Sequence, residues 1–255
     1  MRSAFPANST LRAETLQRAA ERSKLYVVFL TPRSGSTWLT SLAEGAGLGV
    51  PHEWFNLDFI GMERPAATGH RPPRVRGTPD INAYVDAIVD EAPGVAGVEL
   101  GILQALQLRE LVEEPVPLDR ITFFYLRRRD LLAQAVSYYR SITSGRWHSY
   151  EGCRGERPVD YDRDGIRRCR DELVDKEYGF EMLFRSCGIE PHRLYYEDLA
   201  ADPLQVLQAM ARMLGRPPAD RVPHTPFVPL RDERSEAWRR RTELELEPAV
   251  RPDSC

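Results

Sequence analysis

Leu25-Tyr-Val-Val-Phe-Leu-Thr-Pro-Arg-Ser-Gly-Ser-Thr-Trp-Leu39 joins a short apolar, β-branched run to a tight polar loop and then to an apolar, helix-compatible segment. That order predicts a strand, a turn and a helix N-terminus, where unpaired backbone N–H groups converge on an anion. Pro32 restricts the backbone where the loop begins, and Gly35 allows close backbone approach. Ser34, Ser36 and Thr37 add hydroxyl donors, and Arg33 adds a permanent, fork-shaped cation. The loop suits a phosphate or a sulfate. It departs from the nucleoside triphosphate pattern G-x-x-x-x-G-K-[ST], because it has one glycine and no lysine. Serine and threonine ahead of an apolar run are also ordinary helix caps, so the string from Pro32 to Thr37 is informative mainly as a whole.

Outward from this stretch, strands alternate with helices. The periodicity predicts a helix over 11–23, a strand over 24–30 and a helix over about 36–46. Asp80 caps a helix carrying Ile81, Tyr84, Val85, Ile88 and Val89 at 3.6-residue spacing. A strand over 95–100, a helix over about 103–113, a strand over 120–126 and a helix over about 130–144 follow. The last elements expected are a helix over 164–186, a strand over 192–196 and a helix over 203–214. This rhythm predicts an α/β fold of three layers, α/β/α, with a mainly parallel central sheet. Residues 61–79, rich in Pro, Gly and Arg, and residues 145–163 read as long irregular loops, which in compact domains are commonly lids, binding loops or disordered segments. The tail from about 247 is expected to fray.

At 255 residues the chain suits one domain, 1–255, with a sizeable core. A net charge of −3 argues against a dedicated nucleic-acid binder. Lysine occurs only at Lys24 and Lys176, so arginine clusters are ordinary for this chain and weak as functional signals. Cys153, Cys169, Cys187 and Cys255 lack the spacing of a zinc site or a disulfide framework. The N-terminal residues lack the apolar core of a signal peptide, and no run is long enough to span a bilayer. A soluble, cytoplasmic protein is expected.

Pro32-Arg-Ser-Gly-Ser-Thr37 resembles the 5′-phosphosulfate loop of sulfotransferases that use 3′-phosphoadenylyl sulfate (PAPS). The likeness is closer to the bacterial trehalose-2-sulfotransferase (Stf0-like) family. Val50-Pro-His-Glu-Trp-Phe55, Arg127-Arg-Arg-Asp-Leu-Leu-Ala-Gln-Ala-Val-Ser137 and Thr143-Ser-Gly-Arg-Trp-His148 support it, with a weaker echo at Arg231-Asp-Glu-Arg-Ser-Glu-Ala-Trp238. The resemblance implies a P-loop-like sulfotransferase fold, PAPS as donor, no metal, and a carbohydrate, glycolipid or glycosylated metabolite as acceptor. A homodimer is expected only by family analogy.

The resemblance also implies roles. Arg33 would stabilise charge on the leaving oxygen, and Arg33, Ser34, Gly35, Ser36 and Thr37 would cradle the phosphosulfate. Arg128, chosen over Arg127 and Arg129 by motif register, and Ser137 would hold the 3′-phosphate; a serine on a mostly buried helix is otherwise back-bonded to a carbonyl. Asp130, Gln134, Ser137 and Ser141 share one helical stripe. Glu53 would be the general base, with His52 and His148 as rivals. The chain must travel back about 16 Å along the helix to return to the loop, and residues 47–52 reach roughly 23 Å when extended. Trp54, Phe55 and Trp147 fit a sugar-stacking face and a core position equally well. Glu99 stands where this subfamily tends to carry lysine, which raises the hypothesis that it meets a cationic group of the acceptor; with the register shifted it is only a strand-end surface residue. A small-molecule kinase of P-loop architecture and a non-catalytic 3′,5′-adenosine diphosphate-binding protein are the rival readings. The missing loop lysine argues against the first.

Overall fold

The computed structural model of the protein describes Phe5 and residues 9–56, 80–147, 157–227 and 232–246. The expected loop at 61–79 and the tail from 247 lie outside these residues, as do residues 148–156 of the expected loop at 145–163, His148 among them. Four strands, β1 (Ser23–Leu30), β2 (Gly94–Leu100), β3 (Ile121–Arg127) and β4 (His192–Tyr195), form one parallel sheet in the order β2-β1-β3-β4. Side chains alternate across it. Tyr26, Val28, Phe124 and Leu126 pack on one side against α2 (Ser36–Gly45), α7 (Tyr196–Ala201) and α8 (Pro203–Met213) through Leu39, Leu42, Leu199 and Leu207. On the other side Phe29, Ala96, Leu100 and Tyr125 meet α1 (Ala13–Arg22), α3 (Ile81–Glu91), α4 (Ile102–Arg109) and α6 (Arg163–Cys187). The three-layer α/β/α arrangement with a parallel sheet is as the sequence predicts. The near-continuous apolar character of β1 and β3 follows from burial on both faces.

Local chemistry sets the helix starts. Asp80 accepts from the backbone N–H groups of Asn82 and Ala83 at 2.7 and 2.9 Å, and Asp202, followed by Pro203 at the first helical position, accepts from Gln205 N–H at 2.9 Å. α5 (Leu131–Ser144) is capped by Asp130, which accepts from Ala133 N–H at 2.9 Å. A third apolar cluster, with Val136, Ile166 and Trp238, joins α5 and α6 to α9 (Glu233–Leu246).

Three details differ from the sequence reading. The segment after α4 leaves the helix early, because Val112 forms a parallel bridge with Leu11 and draws both out of helical geometry. β4 stops at Tyr195 and α7 begins at once, with Glu197 and Asp198 in its first turn, where acidic residues suit the helix dipole. α9 showed only as a weak motif, since Trp238 and Thr242 are its buried residues and it lacks an apolar stripe.

The chain leaves β1 for β2 on one side and places β3 on the other. In parallel sheets the crevice at such a reversal, beyond the carboxyl ends of the strands, is where ligands bind. Leu30 pairs with Leu126 across that point, so the β1–α2 loop and the β3–α5 segment emerge side by side.

Candidate active site

The β1–α2 loop is built by backbone conformation. Arg33 has φ 63° and Gly35 has φ 91°, both left-handed, and Gly35 is the N-cap of α2. Left-handed residues in a short loop turn successive N–H groups toward one concavity, which fits an anion. Ser34 is fully buried, and its Oγ has no hydrogen-bond partner among the described residues. A buried hydroxyl left in that state costs free energy unless something meets it. Gln134, buried on α5, donates through Nε2 to Thr31 Oγ1 at 2.9 Å and to Pro32 O at 2.7 Å, tying the loop to the neighbouring helix. Arg33 Nε donates to Ser137 Oγ at 3.0 Å, and its Nη1 donates to Trp147 O. The loop, α5 and the start of the 145–163 segment therefore share one arginine.

Tyr196 wedges the two halves together. A Cβ on Gly35 would lie 2.7 Å from Tyr196 Cδ2, Trp38 meets the same ring edge-on at 6.3 Å, and the Arg128 guanidinium lies 4.5 Å from the ring centroid. Glu197 beside it accepts from the backbone N–H groups of Arg129 and Asp130 at 3.0 and 3.2 Å, fixing the β3–α5 turn. Its carboxylate also lies 4.0 Å from Arg128 Nε. The three adjacent arginines are thereby sorted. Arg127 pairs with Glu177 on α6, Arg129 lies exposed in a two-pronged contact with Asp198 at 2.7 and 2.8 Å, and Arg128, with a side chain 10% exposed, packs on Tyr196 beside the loop.

Glu53 comes back to this end of the sheet. Residues 50–56 run beside β2, where His52 bridges Val98 and its carbonyl accepts from Glu99 N–H at 2.8 Å. Trp54 is buried and donates through Nε1 to Val50 O and Gly97 O, both at 3.1 Å, which pins the segment on both sides of Glu53. Asn56 Nδ2 donates to Glu53 Oε2 at 2.7 Å, orienting the carboxylate. Glu99 is buried on the face toward α2. Burial, reinforced by the neighbouring Glu53 charge, pushes its carboxyl well above the usual range, while the hydroxyls of Ser36 and Thr40 pull it back. Among the described residues no three His, Cys, Asp or Glu side chains gather as a metal site.

A model of the Stf0 sulphotransferase family matches residues 25–245. The chain belongs to that family. It is also similar to the trehalose 2-sulfotransferase of Mycobacterium tuberculosis (strain ATCC 35801 / TMC 107 / Erdman), at 24% identity over 84% of this chain and 92% of the relative. To the trehalose 2-sulfotransferase of Mycolicibacterium smegmatis (strain ATCC 700084 / mc(2)155) it is 23% identical over the same shares.

In this Stf0 sulphotransferase, Arg33 and Ser137 are brought into direct contact, and Glu53 and Glu99 are neighbours at the β2 side of the loop. Trp54 and Phe55, 2% and 3% exposed, are core residues; they cannot form a stacking face for a sugar. Trp147 keeps an exposed edge and lies 6.2 Å from Tyr138. The His52 ring tilts against Trp54 at 5.5 Å. Ser141 is buried and back-bonded to Ser137 O at 2.9 Å, so the polar stripe on α5 divides into a structural end and a loop-facing end. Glu99 lies in the interior at 5% exposure, away from the open face that the cationic-acceptor hypothesis needs. Sequence reasoning missed Tyr196 and Glu197 as organisers of the site, and placed Gln134 on the polar stripe without its role in tying down the loop. The available signal was the aromatic pair Tyr195-Tyr196 with two acidic residues directly after a strand.

Proposed function

We propose that this Stf0 sulphotransferase moves a sulfuryl group from PAPS to a hydroxyl of a carbohydrate or glycosylated metabolite, acting as one domain in the cytoplasm. The observation that carries the reading is the junction at the sheet crossover, where Arg33 of the loop meets Ser137 of α5 while Glu53 returns to the adjacent strand end. The two trehalose 2-sulfotransferases to which the chain is similar favour a small sugar as acceptor.

PAPS supplies the sulfuryl group and departs as the 3′,5′-diphosphate. The loop N–H groups and the hydroxyls of Ser34, Ser36 and Thr37 are suited to its 5′ side, and Arg128 with Ser137 to its 3′-phosphate. Glu53 takes the proton of the acceptor hydroxyl as that oxygen bonds to sulfur. The bridging S–O bond breaks in line, and the charge growing on the leaving oxygen is opposed by Arg33 and the N-terminus of α2. Arg33 is too weak an acid to donate a proton, so its contribution is electrostatic and positional.

Calorimetric titration with 3′,5′-adenosine diphosphate, and separately with ATP and magnesium, tests the cofactor class. Preference for ATP and magnesium, or binding of neither, overturns the reading. With labelled PAPS and trehalose, Glu53→Gln is expected to lower kcat by about 10²- to 10⁴-fold with diphosphate binding retained. Turnover unaffected by Glu53→Gln removes Glu53 from the mechanism. Diphosphate binding with no turnover across a sugar panel supports a non-catalytic binding protein.

A further inference from the structure

Glu99 is an acid in an unusual place. It stands near the carboxyl end of β2, on the face covered by α2, and is 5% exposed. Its backbone is locked by the bond from its N–H to His52 O, so the side chain stays beside the segment that carries Glu53. Its Oε1 has no hydrogen-bond partner among the described residues. Among the described residues, polar groups reach it from three elements. β1 supplies the Tyr26 phenol, which is buried and donates to Leu48 O. α2 supplies the hydroxyls of Ser36 and Thr40, with Glu44 farther along acting on Tyr26. The 50–56 segment supplies Glu53 and His52. An ionised Glu99 would thus face a carboxylate on one side and, through Ser36, the anion loop on the other.

We propose that Glu99 serves the anion loop as a neutral, protonated carboxyl: a positioning residue that couples one proton to anion binding. The inference rests on the reading of Arg33–Thr37 as the phosphosulfate loop. In its neutral form Glu99 can hold Ser36 in place without adding negative charge behind the loop. Burial together with the Glu53 charge favours that form. An anion arriving at the loop favours it further, so the proton and the anion bind cooperatively. The group sits behind the loop and touches neither reacting atom.

The test is titration of the full chain and of Glu99→Gln with 3′,5′-adenosine diphosphate between about pH 6 and about pH 9, in two buffers of different ionisation enthalpy. The ligand's own titration is common to both proteins, so the ratio of their affinities isolates Glu99. That ratio is expected to move against the native protein by up to about tenfold per pH unit as Glu99 ionises, with up to one extra proton taken up on binding. A ratio that stays constant, with equal proton uptake, overturns the proposal. If neither protein binds the diphosphate, the function reading fails. The infrared carbonyl band of a buried protonated carboxyl then decides Glu99 alone. Present in the native protein and lost in Glu99→Gln, it sustains the neutral acid; absent from both, it removes it.

Discussion

The two halves of the site are built by different means. In the β1–α2 loop, the organisation resides in the main chain: Arg33 and Gly35 take left-handed conformations, and Ser34 is fully buried. In the β3–α5 segment it resides in side chains that other elements hold. Tyr196 supports Arg128, Glu197 holds the turn, and Asp198 diverts Arg129 to the surface. The first half is local in sequence and sensitive to backbone geometry. The second is assembled over a separation of nearly seventy residues and is sensitive to its supports.

The sharpest way to break this contrast is Gly35→Ala. A left-handed conformation costs an L-residue roughly 1–2 kcal/mol, and the new Cβ would lie 2.7 Å from Tyr196. Diphosphate affinity is expected to fall by about a hundredfold while the circular dichroism spectrum is unchanged. Near-native affinity in calorimetry would show that the loop backbone is not the recognising element.

The second half gives an effect of comparable size that is more selective. Arg128→Ala is expected to weaken 3′,5′-adenosine diphosphate by about 10- to 150-fold, the value of a charge-assisted hydrogen bond of about 1.5–3 kcal/mol. Arg129→Ala, which removes an exposed pair with Asp198, is expected to change neither affinity nor Tm beyond error. Equal losses for both would show that the sorting of the arginines by α7 is not what selects the ligand contact.

The smallest effect concerns α9, which leans on α5 behind this segment through Arg140 and Asp232. Burial alone would raise the Asp232 carboxyl, but the Arg140 guanidinium and Ser235 outweigh it and bring it down to about 2. A depressed carboxylate stabilises the fold above its unfolded pKa, and that contribution is lost as the pH falls through the folded value. Native Tm is therefore expected to drop faster than that of Asp232→Asn between about pH 4 and about pH 2. Asp232 is half exposed, so solvent screening keeps the difference to a few degrees at most. Parallel melting curves over that range would detach α9 from the support of α5.

Legibility in the sequence followed the same division. Strand–loop–helix order around Arg33–Thr37, the Asp80 cap and the alternation of strands with helices all depend on neighbours in the chain. Composition and periodicity report such neighbours directly. The parallel three-layer fold follows from them. The α9 helix escaped because Trp238 and Thr242 give too thin an apolar face to register as a period. Trp54 and Phe55 stayed ambiguous for another reason: an aromatic side chain suits a core and a sugar platform equally, and only the surrounding packing distinguishes them.

By itself, then, the sequence determined the fold class, the anion-suited loop and the residues from which a sulfotransfer site can be made. Only the tertiary structure supplied the physical reason that Arg128, the arginine chosen by motif register, lies beside the loop while its two neighbours pair elsewhere. It also revealed Gln134 and Tyr196 as the clamps between the two halves, and placed Glu99 in the interior next to Glu53. Local propensity and turn chemistry act over a few residues and are written along the chain. Side-chain pairing and desolvation depend on which distant segments the sheet order brings together, and a charge acquires its meaning only after that packing is complete.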